Sequence, residues 1–243
     1  ELSLFYLIPI SLVTWFASTR LAIVISITSA IAWYTADVTS GDPIAPSILY
    51  WNTGIRFSFF VIVMVLLSAL RTNQKRIEEL SQVDHLTGAV NSRYFSELAQ
   101  TEIDRAQRYN YHFTVAYIDL DNFKTVNDQY GHSTGDKVLQ VMVNTAKIQL
   151  RSTDAIARIG GDEFALLLPE TEHDGACALI TKLQQSVLTE MQNNDWPVTL
   201  SIGVLTCISI PRTADKLIKM ADDLMYSVKN NGKNAISVSV YTG

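Results

Sequence analysis

Cysteine is nearly absent. The 243 residues hold only Cys177 and Cys207, far apart and each within an apolar element. That excludes a disulfide framework, and the expectation is two buried, reduced thiols. Histidine is scarce as well. His85, His112 and His173 show no metal-ligand spacing with cysteine or with one another, which argues against a zinc site. A basic excess is also missing: 19 Lys and Arg stand against 24 Asp and Glu, a net charge of -5. This balance does not suit electrostatic binding to nucleic acid. The most uneven scarcity is of charge itself. Residues 1–70 carry five charged side chains, Glu1, Arg20, Asp37, Asp42 and Arg56, and the other 173 residues carry 38.

Hydrocarbon fills the place of charge. Three apolar stretches run over Leu2–Ser18, Leu21–Val38 and Ile48–Leu70. About 20 apolar residues cross the hydrocarbon core of a bilayer. The third stretch is long enough. The first two are marginal and divided only by Thr19 and Arg20, so they are either two short helices with a tight turn or include a partial, interfacial segment. Arg71, Lys75 and Arg76 follow the third stretch and place its end in the cytoplasm. The loop at 37–47 has two acids and no Lys or Arg, and reads as external. Three spans ending inside require an outside N-terminus. As the chain starts with Glu, the expectation is a fragment with at least one further span before it. Arg56 either pairs or lines a cavity within the membrane, or snorkels to the outer interface. Residues 71–83, RTNQKRIEELSQV, follow Leu70 with apolar positions at Ile77, Leu80 and Val83. That spacing suits one helix face. A parallel coiled coil between two copies and an amphipathic helix lying on its own domain use the same face.

The charged remainder, 84–243, alternates helical and strand patterns. DHLTG at 84–88 is a turn signal, and a helix is expected from about Asn91 to Arg108. HFTVAYIDL at 112–120 reads as a buried strand. A short helix and loop follow, and then a helix capped by Ser133 or Thr134 running to about Leu150. DAIARI and EFALLLP are strands joined by Gly160 and Gly161. A helix at about 173–191, the strand VTLSIGVLTCI, a helix over Thr213–Lys229 and the strand AISVSVY complete the chain. The order predicts an α/β (α+β) fold: a ferredoxin-like, palm-type, antiparallel-rich sheet of split βαβ kind with helices mostly on one face. An all-α transmembrane segment precedes it.

The acids carry the chemistry. Asp119 and Asp121 end the first long strand, and Asp162 and Glu163 stand on the glycine turn of RIGGDEF at 158–164. In a split βαβ core these two places are neighbours. Carboxylates converging there suit a hard cation such as Mg²⁺, which prefers oxygen ligands. A carboxylate-held Mg²⁺ serves phosphoryl transfer. The glycines let a phosphate approach the backbone, and Lys124 stands within reach.

GGDEF at 160–164, IDLDNFKTVNDQYGHSTGD at 118–136, DHLTG at 84–88 and KNNGKN at 229–234 together resemble the GGDEF family of diguanylate cyclases. The resemblance covers about residues 83–243, with the sparsely charged segment similar to the multi-span sensory regions that precede such domains. It implies condensation of two GTP into cyclic di-GMP and two pyrophosphates across a homodimer, with Mg²⁺ or Mn²⁺. By position it implies Asp119, the Leu120 carbonyl and Asp162 as metal ligands. Asp162 is also the candidate general base, Glu163 sits beside the reacting hydroxyl, and Lys124 stabilises charge. Asn127 and Asp136 face the guanine edge, with His132 nearby. Lys229 and Lys233 contact phosphates; the family more often has Arg at the second position, so a point charge replaces a bidentate fork. Arg151 and Asp154 match its RxxD product-inhibition site, with Lys182 where a second arginine often joins. Asp84 is expected to anchor the junction of stalk and domain. The implied location is the bacterial inner membrane, multi-pass, in contact with lipid, with the catalytic domain in the cytoplasm. The rival reading is a catalytically silent, membrane-bound cyclic di-GMP receptor using Arg151 and Asp154.

Overall fold

The computed structural model describes residues 7–16, 19–39 and 46–243. The chain divides into two compact units, Glu1–Leu80 and Ser81–Gly243. In the first, helices α1 (Leu7–Phe16), α2 (Thr19–Thr39) and α3 (Pro46–Leu80) pack on one another. The small side chains Thr14, Ser26 and Ser29 are buried there, while Leu12, Ile31, Phe59 and Leu66 face outward. Small residues let helix backbones approach closely. Among the described residues one stretch, Tyr50–Asn73 of α3, is long and apolar enough to cross a membrane. α1 and the apolar part of α2, Ile23–Ala36, are shorter than a span. Helix α3 continues unbroken through residues 71–80. It stops at Leu80, and Val83 instead makes an antiparallel bridge to Val90, so Val83 leaves the helical face expected of it. Asp42 and the side chains of Arg56, Ile77 and Leu80 lie outside the described residues.

The second unit is built on a six-stranded sheet. Its strands are β1 (Val90–Asn91), β2 (Phe113–Asp121), β3 (Ala155–Gly160), β4 (Glu163–Leu168), β5 (Thr199–Cys207) and β6 (Ala235–Tyr241). Their order is β1-β3-β4-β2-β5-β6. Helices α4 (Ser92–Tyr109), α5 (Phe123–Tyr130), α6 (His132–Lys147), α7 (His173–Asn193) and α8 (Ala214–Asn230) connect them. The β2, β3, β4 and β5 core is antiparallel throughout, and β4 lies between β2 and β3. That is the split βαβ arrangement expected from the element order. The two-residue β1, parallel to β3, is too short to leave a sequence pattern.

The helices occupy both faces of the sheet, not mostly one. α6 and α7 cover Ala116, Ile118 and Leu120. α4 and α8 cover Val115, Tyr117 and Leu205. Successive strand residues alternate faces. Both sets in β2 are apolar enough to be covered, and all nine of its residues are buried. Gly203 of β5 shows how close α8 lies: an added Cβ would collide with the Ala221 carbonyl and the Met225 amide. The α4 N-terminus is capped by Asn91, whose Oδ1 accepts from the Tyr94 amide at 2.9 Å. α6 departs from expectation. It begins at His132 behind Gly131, whose φ of 82° favours glycine, and has no side-chain cap. Thr134 instead donates from Oγ1 to the Tyr130 carbonyl at 3.0 Å.

Cys207 is buried, and burial pushes its thiol up to about 12. Cys177 is only partly buried, with Sγ 3.8 Å from His173 Nε2, so the expectation of two buried thiols holds for one.

Candidate functional site

The antiparallel register sets Asp119 of β2 directly opposite Glu163 of β4. Directly opposed residues share a face of the sheet, here the one with Tyr117. The Leu120 amide donates to the Asp162 carbonyl at 3.2 Å, which ties the end of β2 to the glycine turn. Gly161 has a φ of 50°, in the left-handed region open to glycine.

Asp119 is 2% exposed. Lys229, near the end of α8, donates from Nζ to its Oδ2 at 2.6 Å. Oδ1 is buried and has no hydrogen-bond partner. Burial raises the Asp119 pKa against the opposing hydrogen bond and charge of Lys229, and the charges of Asp162 and Asp121 raise it further. For Lys229, burial acts against the ammonium. The hydrogen bond and charge of Asp119, with Asp162 and Glu163 behind it, still hold its pKa above the ordinary lysine value. An ion pair at neutral pH is the state the short contact supports, and the desolvation of Asp119 is its cost. Three carboxylates therefore act on one ammonium. Asp222 of α8 adjoins them: burial, then the charge of Glu163, raises its pKa.

Asp121 is employed otherwise. Buried, it accepts from Thr199 Oγ1 and Ser201 Oγ, each at 2.8 Å, and from the Asn234 amide at 3.1 Å. This strand-end acid fastens β5 and the KNNGKN loop, so it does not join Asp119 facing a cation. In that loop Lys233 donates from Nζ to Asn122 Oδ1 at 3.1 Å.

Asn127 on α5 packs against Gly135, where an added Cβ would collide with Asn127 Oδ1. Asp136 follows Gly135, so Asn127 and Asp136 stand together at the α5–α6 junction, with exposed His132 opening α6. Lys124 is exposed in the first turn of α5. Arg151 and Asp154 close a tight turn: the Arg151 amide donates to Asp154 Oδ2 at 2.8 Å, and the Asp154 amide to the Arg151 carbonyl at 3.1 Å. The Arg151 side chain is exposed. Lys182 is exposed on α7 and makes no hydrogen bond or ion pair with that turn among the described residues.

Two residues of the site were not anticipated. Arg158 donates from Nε and Nη2 to the Gly161 carbonyl at 3.0 and 2.8 Å, and from Nη1 to the Asp84 carboxylate at 3.3 and 3.4 Å. Asp84 in turn accepts from the Thr87 amide and hydroxyl at 2.9 and 2.6 Å. The DHLTG turn is thereby bolted to the glycine turn. The second is Tyr117, whose hydroxyl donates to Glu163 Oε2 at 3.0 Å. Its place two residues before Asp119, on the same strand face, was the available signal.

The donor set fits a hard cation. Asp119 Oδ1 is a buried oxygen without a partner, and Asp162 and the Leu120 carbonyl belong to the adjoining turn and strand end. Mg²⁺ takes one or two carboxylates and leaves its other positions to water and phosphate. Among the described residues no three His, Cys, Asp or Glu gather as a closed metal cage.

A family model described as diguanylate cyclase, GGDEF domain, matches residues 81–235. This chain belongs to that family. Its GGDEF domain is similar to the probable diguanylate cyclase DgcC of Escherichia coli strain K12, 31% identical over 172 residues, covering 70% of this chain and 46% of the relative. The diguanylate cyclase DgcM of the same strain is 36% identical over 171 residues, covering 68% and 41%. The chain thus spans less than half the length of these two relatives. Among solved structures, a microbial GGDEF domain described with bis-(3′,5′)-cyclic di-GMP is 32% identical, with a TM-score of 0.57 over 65% of this chain and 96% of that one.

Proposed function

We propose that the chain is a membrane-anchored diguanylate cyclase. It joins two GTP molecules into cyclic di-GMP and two pyrophosphates at the interface of a homodimer. The observation that carries the reading is the pairing of Asp119 with Glu163, with Asp162 on the adjoining glycine turn, around the Lys229 ammonium. Family membership and relatives named as diguanylate cyclases support it.

In this reading each subunit holds one GTP. A 3′-hydroxyl oxygen attacks the α-phosphorus of the opposite GTP. A phosphodiester bond forms, the α–β phosphoanhydride breaks, and pyrophosphate leaves; this happens twice. Asp162 accepts the hydroxyl proton, and Glu163 stands beside that hydroxyl. Asp119, Asp162 and the Leu120 carbonyl would hold Mg²⁺ or Mn²⁺, which when bound neutralises phosphate charge. Lys124 adds positive charge from α5. Asn127 and Asp136, beside His132, take the guanine edge; an Asp accepts from N–H donors that adenine lacks. Gly160 and Gly161 leave the backbone open to phosphate. Lys229 and Lys233, now on Asp119 and Asn122, reach the phosphates by exchanging those partners. The Arg151–Asp154 turn, with Lys182, forms the product-inhibition site, its exposed guanidinium offering a fork to phosphate or guanine. Tyr50–Asn73 anchors the chain in the inner membrane, with the GGDEF domain in the cytoplasm.

The test is product analysis. The full chain with GTP and Mg²⁺ is expected to yield cyclic di-GMP, and Asp162→Ala to yield none while retaining its fold. A folded, dimeric chain that makes no product but binds cyclic di-GMP through Arg151 would be a silent receptor instead.

A further inference from the structure

We infer that Tyr117 is a positioning residue for Glu163, and thus part of what sets the rate of this enzyme. The inference rests on the cyclase reading and deepens it. Tyr117 lies in the middle of β2, 5% exposed, its ring packed in the core beneath α4 and α8. A phenol buried there without a partner is costly, and tyrosine hydroxyls in cores are satisfied. This one is satisfied by Glu163 Oε2, two pairing positions along the neighbouring strand. In that contact the hydroxyl donates and the carboxylate oxygen accepts.

The consequence falls on Glu163. A glutamate at a turn has three rotatable side-chain bonds, and fixing them costs entropy at the moment of reaction. The Tyr117 hydroxyl fixes them beforehand by holding one oxygen. The other, Oε1, has no hydrogen-bond partner among the described residues. It is the oxygen left for the reacting hydroxyl. The neighbouring carboxylates make the restraint necessary. Asp119 pairs directly with Glu163, and the charge of Glu163 acts on Asp222. Without that donor, the carboxylate is pulled by Lys229 and repelled by Asp119 and Asp222, with no hydrogen bond to fix its orientation. Tyr117 also lines a groove of about 290 Å³ with Ser96, Ile159, Asp215, Lys219 and Asp222.

Tyr117→Phe removes one oxygen and keeps the ring, which separates positioning from packing. In steady-state assays of the full chain with GTP and Mg²⁺, kcat is expected to fall about 10- to 150-fold, the worth of one charge-assisted hydrogen bond. KM for GTP is expected to stay close to that of the unsubstituted chain, and the thermal unfolding midpoint to fall only by the few degrees that one lost hydrogen bond costs. A purely structural tyrosine would move the midpoint and leave kcat alone. Equal kcat for Tyr117→Phe and the unsubstituted chain overturns the proposal and leaves the cyclase reading standing. A rise in KM with unchanged kcat overturns it too, since that assigns the hydroxyl to ground-state binding. Absence of product from the unsubstituted chain overturns the cyclase reading, and this proposal with it.

Discussion

Lys229 has two tasks in one place. It neutralises the buried carboxylate of Asp119, and in the proposed reaction it meets phosphate. Removing its charge leaves Asp119, 2% exposed, without a counterion. Lys229→Met is therefore expected to lower stability by about 2 to 3 kcal/mol, below the full cost of breaking a buried pair because the ammonium is partly exposed. Urea unfolding measures it. The pH dependence has a definite sign. A lysine whose folded pKa is raised contributes its full stability below the ordinary value of 10.5 and loses it as pH rises through the folded value. The gap between the unsubstituted chain and Lys229→Met should close as pH rises above 10.5 through the folded lysine value, and also in acid, where Asp119 takes up its proton. At this scale the sequence was legible where a motif names its residues. Asp119, Asp162 and Glu163 were marked by adjacency to strand ends and glycines. Asp121 had the same signature and a different employment, because its three donors come from Thr199, Ser201 and Asn234, 78 to 113 residues away.

Turns and strands act together through Arg158. Its guanidinium joins the DHLTG turn that opens the domain to the glycine turn that carries Asp162. Both partners are mostly buried, at 17% and 16% exposure, so the pair is sheltered from water. Burial alone would raise the Asp84 pKa; hydrogen bonds from Thr87, then the charge of Arg158, bring it below the ordinary 3.8. Asp84→Asn should cost about 1 to 2 kcal/mol. The cost is fully present above pH 3.8 and disappears as pH falls through the lowered folded value, because protonation then removes the same charge from the unsubstituted chain. Thermal unfolding of both chains across the acid range checks this. The main strands and long helices were readable from apolar periodicity. Helix coverage of the second sheet face was not: strand alternation shows that both faces of β2 are apolar, but not which helices return to cover each. The start of α6 was misread because Gly131 turns the chain by its backbone, without a hydroxyl cap.

At the scale of the whole molecule, two half-sites must face each other for the proposed reaction, and residues 71–83 join the apolar segment to the domain. Under that proposal, productive and unproductive pairing form a population that the apolar segment biases. A chain beginning at residue 71 is expected to lose specific activity on dilution and recover it as concentration rises, while the full chain in lipid keeps its activity. Activity against protein concentration tests this. Equal specific activity at all concentrations would show that the apolar segment does not set the pairing.

By itself the sequence determined the antiparallel core, the family and the acids of the central turn, because apolar period and glycine placement are local and leave their mark within a few residues. It also marked the sparsely charged first 70 residues, since charge is counted without a fold. Only the tertiary structure decided which acid meets Lys229, which serves the loop, that Tyr117 reaches Glu163 and that Arg158 reaches Asp84. Those contacts join residues 46 to 113 positions apart. Nothing in the chain's local chemistry selects among distant partners. Sheet register and the close seating of α8 do.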